Sequence, residues 1–338
     1  MVDANAAPAA RTFKWHGYGV RVEVPARLAE RARKLRGGRP SGDAKADDGL
    51  LLAGDLPEIH VERRDVEGVL AFFRDPAQDL PTDQQQPVFS SPRHAALAAS
   101  GHPLADQLAR FPWYHTIELP GGLTTPGFFD HRPLVPHYGL PASLAGKRAI
   151  DVATFDGFWA FQLEDLGAAE VTAIDLDRAS QTDMPPAARA LILERGIDMQ
   201  FGRGFALAKE ARHSNVERVV CSIYDLDPAQ LGTFDFVHMA DVLLHLERPL
   251  EALRHLRSIT APDGEALIAD SIAPDLEGKV TEYLGGWHGV VWWRPSLDTL
   301  AQMIIDAGFG SVELRQIYNL AEHPYRVGEW RAVLSARP

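Results

Sequence analysis

The stretch RAIDVATFDGFW at residues 148–159 constrains this chain more than any other. An apolar run of β-formers ends in Asp151, turns through small and polar residues, and passes Gly157 straight into FWAFQL (158–163), which has helical spacing. A strand whose loop feeds a helix N-terminus is the layout of a nucleotide site in an open α/β sheet. A second strand, VTAID (171–175), ends in Asp175, where a ribose diol would find a carboxylate acceptor. Two strands that end in acids and are joined by one helix predict the first half of a Rossmann-like sheet. The fold class expected is therefore α/β.

The turn itself separates two kinds of nucleotide. A dinucleotide site needs three glycines in G-x-G-x-x-G so that the backbone can approach a pyrophosphate. This turn has one glycine, Gly157, and two carboxylates, Asp151 and Asp156, which would repel a pyrophosphate but suit a sulfonium cation and an ammonium group. S-adenosylmethionine, with S-adenosylhomocysteine as product, fits better than NAD.

The composition excludes several other classes. The chain has 338 residues, 46% of them hydrophobic and 24% charged, the balance of an ordinary globular core. A formal net charge of −12 argues against a partner held mainly by phosphate neutralisation. One cysteine, Cys221, rules out an internal disulfide framework or a cysteine-rich zinc site. The thirteen histidines show no ligand spacing, so no metal is expected. No apolar run reaches the length of a membrane span, and residues 1–10 lack the basic start and apolar core of a signal peptide. A cytoplasmic protein is expected.

Along the chain, residues 11–36 carry eight basic side chains against two acidic ones, with Pro25 placed to start a helix. Residues 37–49 read as a loop, 58–61 as a strand, 66–73 as a helix, and the proline-rich 75–92 as an irregular connection. A helix is expected over 95–111. It runs into PWYHTIELPGGLTTPGFFDHRP (112–133), which gathers aromatics, histidines and Arg132 among turn residues. Such loops are placed for function more often than for packing. Another helix is expected before Lys147. Beyond it the βα alternation continues: helix 205–213, strand 218–222, strand 233–239, helix 249–259, strand 265–271, helix 297–307, and two closing strands, 311–317 and 330–336. Seven strands that close with a hairpin are expected.

From about Trp113 onward the chain resembles class I S-adenosylmethionine-dependent methyltransferases of the group that includes the tRNA wobble-uridine carboxymethyltransferases. The matching segments are DVATFDGFW (151–159), AIDLD (173–177), FALAKE (205–210), SIYDL (222–226), DVLLH (241–245), WRPS (293–296) and RAVL (331–334). The resemblance implies a Rossmann-like seven-stranded methyltransferase sheet over 113–338, with residues 1–112 as an N-terminal α+β extension that nothing in the resemblance covers. It implies that Asp151, Ala153 and Gly157 line the methionine end of the cofactor, that Asp175 takes the ribose hydroxyls, and that Ser222 and Ile223 meet the adenine. Phe155, Asp156, Leu176, Ala240 and Arg132 join the same cofactor set. Two positions depart from the group: Ala153 where many relatives have glycine, and Ser222 where many class I enzymes have an acid.

Members that transfer a carboxymethyl group resemble one another in a lysine of PWRKG, a tyrosine of VLYH and an arginine near the C-terminus, which together neutralise the extra carboxylate. The corresponding stretches here read PWYH (112–115) and VLLH (242–245), and only Arg331 is kept. Losing one partner of a buried charge pair costs about 3–5 kcal/mol, so ordinary S-adenosylmethionine and methyl transfer are expected. Methyl transfer is an in-line displacement in which the protein aligns the acceptor and removes its proton. Histidine suits the second task. His245, after the fourth strand at the carboxyl edge of the sheet, and His115, in the aromatic segment, are the candidate bases. Trp287, His288, Trp292, Trp293, Phe128 and Arg331 are the candidate acceptor-site residues. A small-molecule acceptor is expected, with tRNA as the alternative supported by the basic segment at 11–36; a homo-oligomer is compatible with the sequence.

Overall fold

In the computed structural model the chain is described over residues 11–14, 21–24, 92–194, 199–285, 290–321 and 328–338. Seven strands form one sheet: β1 (Arg148–Val152), β2 (Glu170–Asp175), β3 (Glu217–Val220), β4 (Phe234–Ala240), β5 (Thr260–Ser271), β6 (Ser311–Ala321) and β7 (Gly328–Arg337). Their order is β6-β7-β5-β4-β1-β2-β3. β3, β2, β1, β4 and β5 are parallel, and β7 inserts antiparallel between β5 and β6. The expected α/β sheet closed by a hairpin is thus present. Its strand order reverses at β1 and β4, and loops that part from such a switch point open the crevice in which open α/β sheets bind ligands.

Both faces are covered, which is why β1 and β4 are apolar along most of their length. On one face pack α6 (Pro249–Ile259) and α7 (Leu297–Asp306). α6 starts on a proline at its first turn and buries Ala252, Leu253, Leu256 and Ile259, a stripe at helical spacing. Ser296 caps α7 by accepting from the Thr299 N–H at 3.1 Å. Ile150 and Val152 meet this layer. Ala149, one residue out of phase, belongs to the opposite layer, beneath α3 (Phe158–Asp165) and α5 (Arg203–Arg212). Between them in the chain comes α4 (Pro186–Glu194).

The expected helix over 95–111 is two, α1 (Pro92–Ala98) and α2 (Ala105–Arg110). Gly101, at φ +71°, and Pro103 break it, the one by a left-handed turn and the other by its missing N–H. Leu97, Leu108 and Phe111 share a core with Trp113 and α3, so this layer reaches back before residue 112. The helix expected before Lys147 is a single 3-10 turn, Val135–His137. Arg11–Lys14 pairs antiparallel with Arg21–Val24. The helix expected from Pro25, the loop at 37–49 and the elements at 58–61, 66–73 and 75–91 lie outside the described residues. Between β5 and α7 an antiparallel ribbon pairs Thr281–Tyr283 with Trp293–Pro295. Among the described residues no helix is long and apolar enough to cross a membrane.

Candidate cofactor and active site

The loop that leaves β1 is the most strained segment of the crevice. Ala153 (φ +63°) and Phe155 (φ +48°) both adopt the left-handed region that favours glycine, and Gly157 follows at +91°. A Cβ at Gly157 would lie 2.7 Å from both Phe161 and Phe205, so the helix can start here only on a glycine. Non-glycine residues held in this region cost about 1–3 kcal/mol each and cluster at ligand clamps. Asp175, at the end of β2, holds the loop: its carboxylate accepts from the Phe155 N–H at 2.7 Å and from the Leu176 N–H at 2.7 Å. Burial pushes its pKa up to about 6 against the pull of these two donors. Asp151 is 2% exposed. One of its oxygens lies 2.8 Å from Nδ1 of His238. The other is buried with no hydrogen-bond partner.

Asp156 faces elsewhere. Both its oxygens are taken up by the segment at 113–131: Oδ2 accepts from the N–H groups of Tyr114 (3.0 Å) and His115 (2.7 Å), and Oδ1 lies 2.6 Å from His115 Nδ1. Asp156, expected beside a cofactor ammonium group, thus spends both oxygens on this segment. The His115 ring stacks on Phe158, 5.1 Å centroid to centroid. Its backbone is clamped by Thr125, whose hydroxyl donates to the His115 carbonyl at 2.7 Å and accepts from the Ile117 N–H at 2.7 Å. At Gly127 a Cβ would sit 2.1 Å from the His115 carbonyl carbon, which is why the returning strand of the segment can pass so close. The segment is therefore a strap, pinned to the β1 loop by one buried carboxylate. Arg132, expected on the cofactor, closes a two-pronged pair with Asp130 at 2.8 and 2.7 Å. His131 beside it is 1% exposed, and desolvation with nearby His115 and Arg331 holds its pKa well below the usual value.

Across the crevice, Asp241 follows β4 at φ +52° and accepts from Arg331 Nε at 2.6 Å in a pair that is almost wholly buried. Arg331 also lies over the Phe129 ring at 5.1 Å. Asp270, on β5, accepts from the N–H groups of Val242, Leu243, Leu244 and Ser271 and so fixes the turn that carries DVLLH. Burial and the neighbouring Asp241 charge push Asp270 up to about 8. His245 sits in this turn, its Nδ1 2.8 Å from the Val290 carbonyl. A carbonyl only accepts, so Nδ1 carries the proton and Nε2 is the proton-accepting nitrogen.

The outer rim is tied at Asp183. Its carboxylate accepts from the Tyr224 hydroxyl at 2.6 Å and from the Glu247 N–H at 2.7 Å, and its carbonyl accepts from the Trp292 indole. One residue thereby joins the connections after β2, β3 and β4 to the insertion after β5. Ser222 Oγ accepts from the Tyr224 N–H at 3.2 Å, and Ile223 is buried beside it. Trp293 donates to the Leu246 carbonyl at 3.0 Å. Leu243, Leu244, Thr281, Trp293, Leu300 and Met303 line an apolar cavity of about 210 Å³. Phe128, in the strap, is half-buried, and Ala240 ends β4. Trp287 and His288 lie outside the described residues. Among the described residues no group of three or more His, Cys, Asp or Glu side chains is arranged to hold a metal ion.

Sequence reasoning missed His238 and Tyr138. The one signal was a histidine in the otherwise apolar strand FDFVHMA, and its meaning depends on β4 lying beside β1 in a register that sets His238 against Asp151.

A Rossmann-like sheet of this order, with a glycine turn after β1 and a buried acid ending β2, defines a class I S-adenosylmethionine-dependent methyltransferase, and the orphaned oxygen of Asp151 fits that cofactor. The chain belongs to the methyltransferase-domain family, which matches residues 133–314. It is 24% identical over 248 residues to the tRNA U34 carboxymethyltransferase of Saccharophagus degradans, covering 70% of this chain and 68% of that one. Its identity to the tRNA U34 carboxymethyltransferase of Methylococcus capsulatus is 27%, over 57% of this chain and about half, 53%, of that one. Among solved structures, the N-terminal domain of EvdMO1, crystallised with SAH and D-fucose, aligns over 73% of this chain and 97% of its own at 17% identity and a TM-score of 0.47.

Proposed function

We propose that this enzyme methylates a small-molecule acceptor and that its donor is S-adenosylmethionine itself and not a carboxylated form of it. The observation that carries this reading is the Asp241–Arg331 pair. In the resemblance described above, an arginine, a lysine and a tyrosine neutralise the extra carboxylate of a carboxymethyl donor. Here Arg331 has a carboxylate of its own chain at 2.6 Å, and His115 and Leu244 stand at the other two positions. A second carboxylate brought into this buried site would meet Asp241 as a like charge.

When bound, the cofactor supplies an electrophilic sulfonium methyl group. The chain's residues do the rest. Asp151, Ala153, Phe155 and Gly157 frame the methionine end, Asp175 and Leu176 the ribose, and Ser222, Ile223 and Ala240 the adenine side and floor. His115 takes the acceptor proton: Asp156 holds Nδ1–H, so Nε2 is the nitrogen that can accept. His245, fixed in the same tautomer by Val290, is the base on the opposite wall if the acceptor approaches from there. Phe128, Trp292, Trp293 and the cavity beside Leu243 suit an acceptor with an apolar body. Residues 113–338 form the catalytic unit in this reading, and residues 1–112 an accessory region.

The names of the curated relatives favour a second acceptor, tRNA. Purified enzyme given methyl-labelled S-adenosylmethionine together with a small-metabolite extract and total tRNA decides between them. Label is expected in the low-mass fraction, and native mass spectrometry of the purified protein is expected to release S-adenosylmethionine or its homocysteine product. Label in tRNA, or release of the carboxylated analogue, overturns the proposal.

A further inference from the structure

His238 occupies the middle of β4 and is the register neighbour of Asp151 on β1. Register neighbours in a sheet point to the same face, here the face covered by α3 and the strap. Nδ1 of His238 lies 2.8 Å from Asp151 Oδ1, and Nε2 lies 3.1 Å from the Tyr138 hydroxyl. His238 and Tyr138 are both 0% exposed, so these groups satisfy one another or go unsatisfied. Tyr138 is held in turn by stacking at 4.1 Å on Trp159, the second residue of the helix that leaves the glycine loop.

Only one arrangement of protons serves all three residues with a neutral imidazole. A carboxylate can only accept, so Nδ1 must donate. Nε2 then accepts, and the donor is the Tyr138 hydroxyl, which burial keeps protonated by pushing its pKa well above the ordinary value. Asp151 is thus gripped at Oδ1 and fixed in rotation. Its Oδ2, buried and without a hydrogen-bond partner, is the acceptor that this chain of bonds leaves unspent. An unmet buried carboxylate oxygen is costly, and a cationic donor would remove the cost.

We infer that His238 and Tyr138 are positioning residues for an ammonium subsite: they lock the Asp151 carboxylate so that Oδ2 is presented to the α-ammonium group of the cofactor's amino-acid portion. The inference rests on the cofactor reading but not on the identity of the acceptor. A histidine inside a strand, with no access to solvent, becomes part of the binding machinery because it determines which way an acid points.

The test is isothermal titration with two ligands, S-adenosylhomocysteine and 5′-methylthioadenosine, which keeps the adenosine thioether and lacks the amino-acid portion. His238→Leu is expected to weaken S-adenosylhomocysteine by about tenfold or more, the scale of a hydrogen bond to a charged group, and to leave methylthioadenosine unchanged. His238→Asn, whose amide places a donor near the Nδ1 position, is expected to recover most of that loss. Tyr138→Phe, the mildest change, is expected to reduce only the amino-acid-dependent part of the affinity while keeping the thermal midpoint. Equal losses for both ligands, or no loss in any variant, overturn the inference. Wild-type binding in the same titration separates two failures: if the wild type binds neither ligand, the cofactor reading falls and the inference with it; if it binds and the variants match it, only the inference falls.

Discussion

Burial lifts the Asp175 carboxyl from its ordinary value to about 6, which is on the order of 3 kcal/mol of work against ionisation. The sign follows from the unfolded chain, where this group titrates near 4. Its contribution to stability is fully present below that value and is lost as pH rises through 6, because the folded chain holds the proton longer. The ribose recognition proposed for Asp175 runs the other way, since two hydroxyl donors need the ionised form. S-adenosylhomocysteine is therefore expected to raise the thermal midpoint more at about pH 7.5 than at about pH 5, and Asp175→Asn to flatten the difference. Equal shifts at both pH values remove Asp175 from the ribose set. Asp151, Gly157 and Asp175 were legible because one strand, one turn and the next strand carry them in order. The partners of Asp156 and Arg132 were not legible, for a reason that operates at this same scale: a motif gives a residue's place along the chain, not the direction in which its side chain turns.

The strap at 113–131 is the element that borders the β1 loop. It is joined to the β1 loop through the three contacts that Asp156 accepts. Removing one partner of a buried pair of this kind costs about 3–5 kcal/mol. Asp156→Asn keeps the volume, removes the charge, and is expected to speed amide exchange over residues 114–129 and to lower kcat more than it lowers cofactor affinity. If kcat is unchanged while exchange increases, His115 is not the base, and His245 inherits the role. The sequence predicted α6 and α7 closely because their apolar stripes repeat at helical spacing and their caps are local. It did not predict the split between α1 and α2, or the 3-10 turn at Val135–His137, because there tertiary packing against the sheet outweighs a weak local preference. The strap itself has no periodicity to read, and its shape comes from Thr125, Gly127 and Asp156 acting across the chain.

At the scale of the whole molecule, the strand order gathers the strand-borne groups of the crevice on neighbouring strands of one sheet. β1 and β2 bring the acids, β4 brings His238 and Asp241, β7 brings Arg331, and β6 brings the buried Tyr318, whose hydroxyl has no partner and whose pKa is raised by burial. Sequence alone supplied the strands but not their neighbours, which is why the Asp151–His238 and Asp241–Arg331 pairs, separated by 87 and 90 residues, came only from the structure. The knot at Asp183 has a kinetic consequence. Four connections meet there, so an adenosine end bound as proposed is not expected to be uncovered one loop at a time. Departure of the spent cofactor is expected to be a single concerted event, with one exponential phase in stopped flow. Tyr224→Phe removes one strand of the knot, and it is expected to shorten the residence time of S-adenosylhomocysteine several-fold, on the order of one neutral hydrogen bond to a carboxylate, while leaving the arrival rate nearly untouched. Several phases in the wild type would mean that the rim loosens piecemeal. With one phase, the turnover clock of this enzyme is set by how long a single aspartate keeps hold of its neighbours.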